Sequence, residues 1–95
     1  MTEIIIAYWK DIPASVSAGE GKTVVRVPLS SRFQQLIDTV AMRQGLTSTE
    51  EYLALWEKRP GGSRVGAPRE VAEAVAAELE ITYEQIEKRY MKRKR

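Results

Sequence analysis

The sequence predicts an α+β domain, and three stretches carry that prediction. Residues 3–9, EIIIAYW, are apolar on both alternating faces, with Ile4, Ile6 and Tyr8 on one and Ile5, Ala7 and Trp9 on the other. That is the pattern of a strand covered from both sides, or on one side by another chain. Residues 22–29 alternate again, with Val25, Val27 and Leu29 opposite Lys22, Val24 and Arg26. From Phe33 the period changes. Phe33, Leu36, Ile37, Val40 and Ala41 form one apolar stripe on a helix of about 3.6 residues per turn. Two strands alone do not hold together in water. The expected architecture is therefore a two-stranded hairpin-like pair, about 3–9 and 22–29, packed against three to four helices at about 30–44, 48–58, 68–80 and 83–92.

Each element has local signals. Pro13, Gly19 and Gly21 mark Lys10 to Gly21 as a connection between the strands. Ser31 with Gln34 has capping-box spacing for the first helix, and Arg43 and Gly45 suit its end, one by charge and one by backbone freedom. Thr47 with Glu50 and Ser48 with Glu51 give two overlapping boxes for the second helix, which Tyr52, Leu53, Leu55 and Trp56 make apolar over a wide arc. The run RPGGSRVGAP has the glycine and proline density of a flexible loop over 59–67. Pro68 opens a third helix with Val71, Ala72, Val75, Ala76 and Leu79 on its buried stripe. Thr82 with Gln85 argues for a break at Ile81-Thr82 and a separate last helix.

With 95 residues the chain is expected to be a single domain, 1–95. It has neither cysteine nor histidine, which removes disulfides, thiolate chemistry, imidazole metal sites and the usual proton shuttle. The first apolar run lacks the positive flank and length of a signal peptide, and no segment approaches the ~20 apolar residues of a membrane span. A cytoplasmic protein is the expectation. The net charge of +2 hides a division: six of the fifteen cationic residues lie in 88–95, leaving nine against thirteen acids in 1–87, a net of −4. The body is acidic and 92–95 is a basic tail, which at a helix end reads as a solvated terminus.

Catalytic motifs are hard to find. GEGKT at 19–23 has the ending of a phosphate-binding loop, but Val16 stands where the first glycine belongs and a strand follows where a helix is needed. The carboxylate pairs Glu50/Glu51 and Glu78/Glu80 suit caps and solvated faces. Ser15, Ser17, Ser30 and Ser31 have no histidine to activate them. No catalytic residue, cofactor site or metal site is expected. The order strand, turn, helix, GLTS, helix has the layout of ribbon-helix-helix DNA-binding regulators, whose paired strands enter the major groove. In that alternative Lys22 and Arg26 would face the bases, against an acidic body that phosphates repel.

The string YWKDIPASV, followed by VRVPLSSRFQQLIDTVAMRQGLTSTEEYLALWEKR, resembles a family of small bacterial proteins known as the virulence factor domain, also found appended to proteins of the conserved virulence factor C type. The resemblance covers roughly 3–59 and rests on the aromatic-Trp-basic-Asp-Ile-Pro start and the Ser-x-Arg-Phe helix opening. It implies no catalytic residues. It also suggests an accessory subunit of a folate or corrinoid one-carbon enzyme as a further alternative.

The expected function is thus a non-catalytic protein-interaction or accessory module whose partner is another protein or a second copy in a homodimer. Tyr8, Trp9, Tyr52, Trp56, Tyr83 and Tyr90 exceed what two strands and short helices readily cover, and Tyr and Trp concentrate at interfaces. Tyr8, Trp9, Asp11, Tyr52 and Trp56 are the interaction candidates.

Overall fold

A computed structural model describes residues 1–46 and 49–91. The expected capping boxes at Thr47 and Ser48 and the basic tail at 92–95 lie outside the described residues. The described residues form four strands, β1 (Thr2–Trp9), β2 (Ile12–Ala18), β3 (Val25–Pro28) and β4 (Trp56–Arg64). Four helices accompany them: α1 (Ser31–Arg43), α2 (Thr49–Ala54), α3 (Pro68–Ile81) and α4 (Tyr83–Tyr90). The class is α+β, as the periodicity predicts, but the sheet has four antiparallel strands in the order β3-β2-β1-β4.

The stretch read as a connection is therefore a strand. Ile12 pairs with Trp9 across the two-residue turn Lys10-Asp11, with Lys10 at φ +57, a conformation uncommon outside glycine. Ile12, Val16 and Ala18 go into the core. Pro13, which argued against a strand, pairs with Tyr8 next to a register shift and lies beyond the end of β3, where its missing N–H breaks no ladder. The predicted second strand shortens to Val25–Pro28 and pairs with β2, not with β1. Lys22 falls in a single 3₁₀ turn, Gly21–Thr23.

The second helix is also shorter than predicted. It ends at Ala54, and Trp56–Arg64 lies along β1 as an edge strand. Pro60, Gly61 and Gly62, read as part of a loop over 59–67, are strand residues here. Edge strands tolerate proline. Gly62, at φ +87, lies in the irregular step between the Glu3–Ser63 and Ile5–Pro60 pairs, where an extra residue needs backbone freedom. A Cβ on Gly61 would stand 2.7 Å from Ile4 Cγ2 and 3.2 Å from Ile6 Cδ1.

The helix stripes are as predicted. Phe33, Leu36, Ile37, Val40 and Ala41 are buried on α1, and Val71, Ala72, Val75 and Ala76 on α3, with Leu79 packed at the margin. α3 crosses β2 and β3 and reaches β1. The break at Thr82 is present, but neither predicted capping box around these helices forms. Thr82 Oγ1 donates to the Leu79 carbonyl at 2.6 Å, and Gln34 Nε2 donates to Asp38 Oδ1 at 3.0 Å. Ser30, not Ser31, holds the cap position of α1.

Replacing Gly61 with alanine is expected to destabilise the fold by about 1–3 kcal/mol, the usual cost of forcing a methyl into a packed contact. A denaturant titration measures it. In a mobile loop the same change would be neutral or slightly stabilising.

Candidate functional site

Strand alternation sends Ile4 and Ile6 into the core and leaves Ile5 and Ala7 on the opposite face of β1. Cross-strand pairing then builds two rows on that face. One runs Pro60, Ile5, Ser17, Arg26; the next runs Lys58, Ala7, Ser15, Pro28. Residues directly opposite in neighbouring strands share a face, so small side chains form the floor and the two edge strands supply the flanking cations. All of these except Pro60 line a groove of about 740 Å³. Val24 and Trp56 border it, and Leu29, Ser30 and Gln34 bring in the start of α1.

The groove mixes Ile5 and Ala7 with Ser15 and Ser17 in its floor and is positive at its sides. Ile5 is 38% exposed and Val24 50%. No carboxylate among the described residues lines it, and Arg26 and Lys58 have no ion pair there. By contrast Arg32, Arg59, Arg64 and Arg69 each meet a carboxylate. Lys22, Arg43, Lys88 and Arg89 likewise have no ion pair among the described residues; Arg26 and Lys58 differ from them in bordering the groove.

Glu80 secures the α1 end. Its carboxylate accepts the Ser30 N–H at 2.6 Å and the Ser30 hydroxyl at 2.8 Å, and Arg32 donates to it at 3.2 Å. Desolvation pushes the Glu80 carboxyl up, but the backbone and hydroxyl bonds from Ser30, with Arg32, outweigh it and hold the group below its ordinary value. The Arg32 guanidinium also lies 4.3 Å over the Tyr83 ring, and that ring meets Phe33 edge-on at 5.1 Å.

Most of the predicted interaction residues have structural partners. Trp9 is fully buried, and its indole N–H donates to the Tyr52 carbonyl at 2.9 Å. Tyr52 lies 5.6 Å from it at a 33° tilt and meets Trp56 edge-on at 6.3 Å, so α2 covers the Trp9 end of β1. Asp11 holds the hairpin turn: Arg59 reaches its carboxylate at 3.2 Å and the Lys10 carbonyl at 2.8 Å, and the Asp11 N–H donates to Tyr90 Oη at 3.3 Å. Glu57, also bonded to Arg59, holds that guanidinium above its usual value despite some desolvation. Tyr8 lies beneath it, with the guanidinium 4.3 Å over its ring. The aromatics thus cover the core; of the five candidates only Trp56 borders the groove.

Arg26 is the one predicted DNA-contacting residue in the groove, and Lys22 is outside it. The ribbon-helix-helix layout differs from what the chain adopts, since one edge of β3 is already paired with β2 and α2 has six residues. Ile5, Ala7, Ser17 and Lys58 were not among the predicted site residues. The signal for the first two was the second apolar face of residues 3–9.

The fold is thus an α+β domain whose four-stranded sheet carries a groove bordered by the start of α1. The chain belongs to the virulence factor family, whose model matches residues 7–89. Comparison with curated proteins and with solved structures gave no match. No helix among the described residues is long and apolar enough to cross a membrane.

Glu80→Gln is expected to lower stability by about 1 kcal/mol at neutral pH, a modest value because the site is partly exposed. The folded-state value of Glu80 lies below the ordinary 4.5. Its stabilisation is therefore complete above pH 4.5 and is lost as pH falls through the folded value. Denaturation of both proteins from pH 7 down to acid should show the difference closing.

Proposed function

We propose that this domain is a non-catalytic interaction module that acts in the cytoplasm and binds another protein through the open face of its sheet. The observation that carries the reading is the groove itself: exposed Ile5 and Val24 with small side chains beside them, between two cations that lack carboxylate partners among the described residues. Contiguous exposed apolar surface rimmed by polar groups marks interaction sites. Ser15 and Ser17 line it without a histidine in the chain, which favours binding over nucleophilic chemistry.

The partner in this reading is a different protein. Two copies meeting face to face would set Arg26 and Lys58 against their own equivalents, and like charges across an interface are costly. An accessory subunit of a larger enzyme is a particular case of the same proposal.

The test compares three tagged proteins by affinity purification with quantitative mass spectrometry: wild type, the double variant R26E/K58E, and R69E on α3, which packs on the other side of the sheet. A partner held by wild type and R69E but lost from R26E/K58E is the expected result. Equal recovery by all three would remove the groove from the function.

A further inference from the structure

The following inference rests on the interaction reading and names the occupant. We propose that the groove receives an amphipathic α-helix of the partner, apolar on the side that meets the sheet and acidic along both flanks. Arg26 and Lys58 stand on β3 and β4, the two outer strands. Three inter-strand spacings of about 4.8 Å separate those strands, roughly 14 Å in all. A helix with its side chains is about 10–12 Å across, so it fits between them and offers each an acid. A single small anion does not span that distance to meet both.

The floor favours the same occupant. Ala7, Ser15 and Ser17 are small, which lets a helix settle onto the sheet with its larger side chains filling the space above them. α3 already covers the opposite face, and a second helix would complete a layered packing in which the sheet is covered on both sides.

The strand edges disfavour an extended peptide. β3 offers four residues and ends in Pro28, which has no N–H to give. β4 carries Pro60 and an irregular step near Gly62, and charged, proline-bearing, bulged edges resist strand addition. A helix needs no backbone hydrogen bond from the sheet. α1 and α3 are poor occupants for a second copy, because their apolar stripes are buried in the core.

The test is a display selection of random peptides of about 16 residues, ~24 Å as a helix, on the full chain, with counter-selection on R26E/K58E. Both positions are exposed, and circular dichroism checks that the variant is folded. The expected peptides carry apolar residues at i, i+3, i+4 and i+7 with Asp or Glu on both flanks. They should become helical on binding, shift the amide signals of Ile5, Ala7 and Ser17, and bind the double variant at least about tenfold more weakly. Raising the salt should weaken them. Peptides alternating with period two that protect β3 or β4 edge amides overturn the helix while leaving the interaction reading intact. Failure to enrich any peptide, or equal binding to R26E/K58E, also overturns it, and the purification experiment then judges the broader reading separately.

Discussion

β1 lies between β2 and β4 with both edges hydrogen-bonded, so its eight residues set the register for most of the sheet. One face of it, Ile4 and Ile6, is filled from within the molecule, where the close approach of Gly61 leaves no room for a side chain. The other face, Ile5 and Ala7, receives no helix of the described residues along most of its length. Only at its end does α2 return to cover Trp9. The groove is what remains between the covered end and the open one, and its position follows from strand alternation rather than from a loop.

Two side-chain networks hold the helices to this sheet. Glu80, at the end of α3, supplies the cap that the first residues of α1 lack, so the start of α1 is fixed by a residue fifty positions away. Tyr90, at the end of α4, meets the hairpin turn at Asp11, and Arg59 of β4 bonds the same turn from the sheet. Both networks join the C-terminal helices to the first sixty residues. Neither network includes Arg26 or Lys58, which have no ion pair among the described residues.

Helical periodicity was legible because α1 and α3 each bury one continuous stripe, from Phe33 to Ala41 and from Val71 to Ala76. The strands were less so. β2 reads IPASVSA, where proline and serine obscure Ile12, Val16 and Ala18, and its identity as a strand depends on pairing with β1 and β3. β4 has Pro60 and two glycines in its middle, signals that locally mean a turn, and only the long neighbouring strand overrides them. The missed strand hid part of the site with it, since Lys58 joins the groove only once Trp56–Arg64 is extended. The capping residues failed for a related reason. Ser31 and Gln34 have the spacing of a box, but a tertiary carboxylate at Ser30 fills the role that local spacing suggested for them.

The difference between guarded edges and an unguarded face limits how this molecule can associate. A sheet with free edges recruits strands unless those edges are short, charged, bent or interrupted by proline. β3 is four residues long and ends in Pro28, and β4 contains Lys58, Arg59, Pro60 and the irregular step by Gly62. The face between them has none of these protections beyond its two flanking cations. Those cations oppose another copy and attract acid, and their separation across the two outer strands suits a ligand about as wide as a helix. Edge pairing is therefore disfavoured by backbone chemistry and self-stacking by charge, and the proposed partner is accordingly one that meets the face with an acidic, partly apolar surface.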